Sequence, residues 1–230
     1  MKKFSLMFVR HGQTNGNIQR VFQALDTPLN ETGQSQAVTL GKFLKHEKFT
    51  HIYCSDLTRT RQTCELIMSE NEDFNTSPSL EIISDERLRE KDFGDMRGCK
   101  YEEYDLLTKK HVLSSTEEYL NFKPPGGESL NDVTRRCKDF FTSLCEMISN
   151  DSSTGEANII AVTHGQYLQL MFSYLYDEFK CEFEWGSMLN TGRSCFEITL
   201  PYSCNESDEG RKSNWIENIL VRNLLVNIVC

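Results

Sequence analysis

The sequence predicts an α/β fold: a three-layer α/β/α sandwich on a mostly parallel central sheet, with a small cap excursion. Three observations carry this expectation. Short apolar runs at 4–9, 50–54, 80–83 and 157–162 alternate with segments whose apolar residues recur at the helical period. Most of these runs stop at a polar or glycine-bearing turn that leads into the next helix. The chain has 230 residues and 38% apolar content, enough for one well-buried domain with a cap but small for two full domains. A single domain over 1–230 is therefore expected.

The first run, 4–9, ends at Gly12 and reads as a buried strand. A helix over 31–45 follows, capped by Asn30, with Ala37, Leu40, Phe43 and Leu44 on its apolar side. A strand over 50–54, a helix from 56 to about 68 and a strand over 80–83 come next. From about 95 to 128 the pattern weakens into short polar-rich helical pieces and ends in Pro124-Pro125-Gly126-Gly127. That stretch is the expected cap excursion. The segment 129–149 is the clearest helix, because Leu130, Val133, Cys137, Phe140, Phe141, Leu144 and Ile148 follow one face. The strongly apolar run 157–162 predicts a strand, followed by a helix over about 166–177. Alternation over 193–200 and 215–221 predicts two late strands, a hairpin around the polar stretch 203–212.

Composition narrows the partners. A net charge of −9 disfavours nucleic acid and anionic membranes, since phosphate-rich polymers would be repelled. It leaves room for a small phosphorylated substrate in a local cationic pocket. The nine cysteines are scattered, with no Cys-x-x-Cys pair, which predicts reduced thiols. The apolar run after Lys2-Lys3 is too short for a signal peptide, and no stretch reaches membrane-spanning length. A cytoplasmic monomer is expected. No cysteine, histidine or carboxylate cluster has metal-ligand spacing, so no metal or other cofactor is expected.

In an open parallel sheet, ligands bind beyond the carboxyl ends of the strands. Two of the five histidines lie there in matching settings. Phe8-Val9-Arg10-His11-Gly12 and Ala161-Val162-Thr163-His164-Gly165 each run from an apolar strand through a polar residue to His-Gly. The glycine permits close backbone approach to a ligand, and a helix start offers unpaired N–H groups. One such histidine would read as a turn residue; two at one sheet edge, one beside an arginine, favour a site. His46, His51 and His111 have no such setting and read as exposed or capping residues. Ser55-Asp56-Leu57-Thr58-Arg59 follows the second strand and brings Arg59 to the same edge, while Arg61 reads as surface. Arg87-Leu88-Arg89-Glu90 follows the third strand and brings a carboxylate, although Glu90 alone would read as a surface acid beside Arg89 and Lys91.

Arg10-His11-Gly12-Gln13-Thr14 with Asn17 resembles the signature of the histidine phosphatase superfamily, also called phosphoglycerate mutase-like. The resemblance continues in order through Asp26-Thr27-Pro28-Leu29-Asn30-Glu31-Thr32-Gly33 and Ser55-Asp56-Leu57-Thr58-Arg59-Thr60-Arg61-Gln62-Thr63. It then takes in Leu88-Arg89-Glu90, Pro125-Gly126-Gly127-Glu128-Ser129 and Val162-Thr163-His164-Gly165. It implies His11 as nucleophile, with Arg10, Asn17, Arg59 and His164 holding the phosphoryl oxygens and Glu90 as proton donor and then base. It also implies substrate contacts at Thr14, Gln23 and Gly165. Phosphoryl transfer asks mainly for positioning and charge neutralisation, so two guanidiniums and a cationic His164 would balance a phosphomonoester dianion. His11 must be neutral, and Arg10 and Arg59 disfavour its imidazolium. Two positions depart from the pattern: Gln13 where many members have Glu, and Ala24 where many have Gly.

Phe49-Thr50-His51, Pro124-Pro125-Gly126-Gly127-Glu128 and Asn190-Thr191-Gly192 resemble the fructose-2,6-bisphosphatase branch of that family. A sugar bisphosphate is the substrate this implies. Its second group would be read from the excursion, with Lys100, Lys109, Lys110, His111 and Lys123 as candidates and Arg20 nearby. The alternatives are a broad-specificity or protein phosphatase, a phosphoglycerate mutase, and a catalytically weak regulatory binding module.

Overall fold

A computed structural model describes residues 1–110, 115–152, 156–182, 188–201 and 218–229; at 107–110 and 225–228 the description covers backbone alone. Six strands form one sheet: β1 (Lys2–Arg10), β2 (His51–Cys54), β3 (Ile82–Ser84), β4 (Ala157–Thr163), β5 (Arg193–Leu200) and β6 (Leu220–Ile228). Their order is β3-β2-β4-β1-β5-β6. The first four strands run parallel, and β5 and β6 are antiparallel additions at one side.

Strand β1 shows why the sheet is covered on both faces. Phe4, Leu6 and Phe8 pack into one core with Phe140, Phe141, Leu168 and Phe172. Met7 and Val9 pack into another with Ala37, Leu40, Cys64 and Ile67. Alternate side chains of one strand thus feed two cores, which is the reason its sequence is nearly continuously apolar. Helices α7 (Leu130–Asn150) and α8 (Gly165–Phe179) cover the first face; α2 (Glu31–Phe43) and α3 (Thr58–Ser69) cover the second. The fold is the expected α/β sandwich. Helix α7 starts at a capping box in which Ser129 and Asp132 each accept from the other's backbone N–H. Asn30 caps α2 by accepting from Gly33 N.

Short helices α1 (Asn15–Gln19), α4 (Glu72–Thr76), α5 (Tyr101–Lys110) and α6 (Thr116–Asn121) lie in the connections. Helices α5 and α6 form most of the excursion after β3. Its two ends are tied together: Asp95 N donates to Pro125 O at 2.9 Å and Glu128 N to Asp92 O at 2.8 Å. Gly94 makes this closure possible. It has a φ of +54°, and a Cβ there would stand 2.0 Å from Pro125 O.

Some boundaries differ from the sequence reading. Strand β3 begins at Ile82, because Leu80 N turns back to Ser77 O. Helix α3 begins at Thr58, leaving Ser55, Asp56 and Leu57 as the turn. Strand β6 runs Leu220–Ile228, later than the alternation over 215–221 suggests; an edge position lets the strand carry Arg222 and Asn223. The polar stretch 203–212 and His111 lie outside the described residues, as do the side chains of Lys109 and Lys110. Cys54, Cys64, Cys99, Cys137, Cys145, Cys181 and Cys195 are free thiols. No helix among the described residues is long and apolar enough to cross a membrane.

Candidate active site

The sheet register explains why distant segments meet. Arg10 pairs with Thr163 across β1 and β4, and Cys54 pairs with both Val162 and Ser84. Three further bonds carry the ladder past the strand ends: His11 N to Thr163 O at 2.9 Å, Ser55 N to Val162 O at 3.0 Å and Asp85 N to Cys54 O at 2.9 Å. The residues that follow β1, β2, β3 and β4 therefore open onto one edge. A cavity of about 740 Å³ lies there, lined among others by Arg10, His11, Asn17, Gln23, Arg59, Glu90 and Gly165.

The two imidazoles sit edge to face with centroids 5.2 Å apart. His11 Nδ1 lies 2.7 Å from Gly12 O. A carbonyl can only accept, so Nδ1 carries the proton and Nε2 keeps its lone pair. Burial, then Arg59 and Arg10, hold the His11 pKa well below 6.5. His164 is also depressed well below 6.5, by burial first and then by Arg59, His11 and Arg10. The imidazole is fully buried beside two guanidiniums and another ring, so the cationic His164 expected from sequence would need the negative charge of a bound phosphoryl group. The ring signals of both histidines are thus expected to remain those of neutral imidazole from mildly alkaline pH down through 6.5, as followed by NMR titration. Protonation of either ring at or above 6.5 would contradict the assignment.

The arginines are set up to receive an anion. Arg59 Nη1 donates to Ala24 O at 3.1 Å, and burial lowers the guanidinium pKa to about 10. Arg10 Nη1 donates to Met188 O, and burial lowers its pKa as well. Among the described residues neither forms an ion pair, and their Nε atoms are buried without a hydrogen-bond partner, as are both ring nitrogens of His164. The two guanidiniums and the one N–H of a neutral imidazole give this cluster the chemistry of an oxyanion cradle. Gly165 leaves room for it: a Cβ there would lie 3.3 Å from Arg10 Nε. Ala24 does not adopt a left-handed backbone, so no glycine is required where many family members carry one.

Asn17 and Gln23 line the cavity, whereas Thr14 stands behind them. Thr14 Oγ1 accepts from Asn17 N at 3.1 Å and donates to Gln23 Oε1 at 2.8 Å. Asn17 Oδ1 accepts from Thr14 N at 3.0 Å and from Asn190 Nδ2 at 3.3 Å. Its amide NH₂ remains as the donor it can offer a ligand. The Thr14 contact expected from sequence is corrected to a supporting one, because this hydroxyl is fully buried and spent on its neighbours.

Glu90 is seated on the N-terminus of α8. Its carboxylate accepts from Gln166 N at 3.2 Å, Tyr167 N at 3.1 Å and Lys91 N at 3.1 Å. Arg136 braces this loop by donating to Arg87 O and Arg89 O at 2.7 and 3.0 Å, while its other edge forks onto Glu128. Thr163 Oγ1 adds a bond to Leu88 O at 2.7 Å.

Lys100 and Lys123 do not line the cavity. Lys100 is exposed beside a backbone bridge to Val21, and Lys123 is held by Asp132 at 2.7 Å. Arg20 is likewise taken by Glu102 at 3.1 Å. The excursion instead contributes Tyr101 and Tyr104, and the loop before it contributes Lys91 and Phe93. Sequence reading missed all four. The i, i+3 spacing of Tyr101 and Tyr104 was the available signal; for Lys91 the surface prior for lysine hid it. Among the described residues, no three His, Cys, Asp or Glu side chains are grouped to hold a metal ion.

Comparison with known proteins shows the family. Residues 6–200 match the model of the histidine phosphatase superfamily, branch 1. The chain is 31% identical over 249 residues to fructose-2,6-bisphosphatase TIGAR of Xenopus tropicalis, covering 87% of this chain and 88% of that protein. It is 32% identical to its counterpart of Bos taurus, covering 80% of each. Among solved structures it resembles a mycobacterial glucosyl-3-phosphoglycerate phosphatase, with a TM-score of 0.73, 24% identity and coverage of 98% and 99%.

Proposed function

The chain belongs to the histidine phosphatase superfamily and its chemistry is that of a phosphatase; from that premise we propose that it hydrolyses a sugar bisphosphate, such as fructose-2,6-bisphosphate, through a phosphohistidine on His11. One observation carries the phosphohistidine reading: a neutral imidazole with its proton committed to Gly12 O, flanked by two buried guanidiniums that, among the described residues, have no carboxylate at ion-pair distance.

In this reading His11 Nε2 attacks phosphorus in line while the bond to the leaving oxygen breaks. Arg10, Arg59, Asn17 and His164 hold the three equatorial oxygens, where each well-placed donor is worth roughly 3–4 kcal/mol at the transition state. Glu90, as the acid, gives its proton to the leaving oxygen. Now a carboxylate on the α8 N-terminus, Glu90 takes a proton from water as that water attacks the phosphohistidine. The N–P bond breaks, phosphate departs and His11 is regenerated.

The sugar bisphosphate is supported by the activity named for the frog and cattle relatives and by a cavity larger than one phosphoryl group needs. The test is phosphate release from a panel of sugar bisphosphates, phosphoglycerates, aryl monoesters and phosphopeptides. Fructose-2,6-bisphosphate is expected to give a kcat/KM at least about tenfold above the aryl monoester. Equal or better turnover of the generic monoester would overturn the substrate assignment.

A further inference from the structure

We infer that Lys91 is a specificity-determining residue whose ammonium reads a second anionic group on the substrate, apart from the phosphoryl group transferred to His11. The inference deepens the phosphatase reading above and rests on it.

The cavity carries seven cationic side chains, and four are already neutralised. Arg87 is paired with Asp85, Arg89 with Asp56, Arg97 with Asp92 and Arg136 with Glu128, at 2.5–2.8 Å. Among the described residues this leaves Arg10, Arg59 and Lys91 without a carboxylate at ion-pair distance. Arg10 and Arg59 lower the pKa of both imidazoles, whereas the Lys91 ammonium sits against Phe93 and Tyr104. The unneutralised positive charge therefore falls in two places, one at the phosphoryl cradle and one on the excursion side.

Lys91 is only 3% exposed. Its Nζ lies 4.3 Å from the Phe93 ring centroid and 4.9 Å from that of Tyr104, and donates to Tyr104 Oη at 3.2 Å. Phe93 in turn stacks on Phe22 at 3.7 Å. The aromatic walls hold the ammonium by cation–π attraction without cancelling its charge. A shielded, uncancelled cation at a cavity wall costs desolvation that an arriving anion can offset. The charges around it fit this view. Burial lowers the Lys91 pKa to about 8, against the opposing pull of Glu128, Glu90 and Asp92. The Tyr104 hydroxyl is pushed up to about 12 and stays protonated when the lysine titrates.

The recognised chemistry is a phosphomonoester bearing one further anion, either a second phosphate or a carboxylate. The test measures KM and kcat for wild type, Lys91→Met and Lys91→Arg on three probes: fructose-2,6-bisphosphate, 3-phosphoglycerate and an aryl monophosphate with no second charge. Lys91→Met is expected to raise KM about 10- to 100-fold for whichever two-anion probe is the better substrate. The aryl monophosphate should respond far less, and Lys91→Arg should recover most of the loss. The wild-type kcat/KM for the two-anion probe should also decline as pH rises through about 8, and Lys91→Met should remove that decline. An equal loss on all three probes would make Lys91 a packing residue and overturn the inference, as would no loss on any. A wild type that prefers 3-phosphoglycerate would instead displace the sugar bisphosphate assignment while leaving Lys91 its role.

Discussion

Replacing His11 by alanine is expected to reduce turnover of every phosphorylated substrate by about 10⁴-fold or more, with little change in secondary structure. The magnitude follows from removing a nucleophile that no neighbour can replace. His164 is the other buried imidazole in the site, with its ring centroid 5.2 Å away, but it follows β4 and in the proposed mechanism holds a phosphoryl oxygen. Binding should survive in part, because Arg10, Arg59 and Asn17 remain. The measurement is steady-state phosphate release together with competition by inorganic phosphate. Loss of turnover with phosphate binding retained is the expected pattern; retained turnover would remove His11 from the chemistry.

The second large effect is expected at Glu90. Glutamine keeps the shape and can still accept from Gln166 N and Tyr167 N, but it can neither give nor take a proton. General acid–base groups contribute roughly 10²- to 10⁴-fold, so Glu90→Gln should lower kcat by that order on alkyl phosphates. The size of the effect should depend on the leaving group. A sugar alkoxide needs the proton, whereas an acidic phenol leaves without it. Rapid-mix kinetics on an aryl phosphate should therefore show a near-normal burst of phenol followed by slow turnover, because hydrolysis of the phosphohistidine still needs the base. An equal loss of burst and turnover would mean that Glu90 only shapes the loop.

Much of this site is legible from strand ends alone. His11 and His164 are readable because each follows an apolar strand and precedes a glycine and a helix, and the Arg10–Thr163 register then places them together. Arg59 and Glu90 follow the ends of β2 and β3 and so inherit the same edge. What sequence does not carry is the direction of long flexible side chains. Lys100 and Lys123 have the right charge in the right segment, yet exposure takes one and Asp132 the other. Lys91 reads as one more surface lysine after Glu90, because its burial depends on Phe93 and on Tyr104 from a helix ten residues further on. Thr14 illustrates the converse: its place in the signature motif points to the ligand, while the fold turns its hydroxyl inward to hold Asn17 and Gln23. The lowered pKa of His164 also escapes sequence, since its causes are complete burial and nearby positive charge.

The most direct test of the account is to trap the covalent intermediate. The protein would be mixed with a phosphorylated substrate, quenched in alkali and mapped by peptide mass spectrometry. The account predicts one added phosphoryl group on the peptide containing His11, stable to base and lost in acid, more abundant in Glu90→Gln and absent in His11→Ala. Turnover by the wild type with no such adduct, or an adduct that persists in His11→Ala, would contradict it.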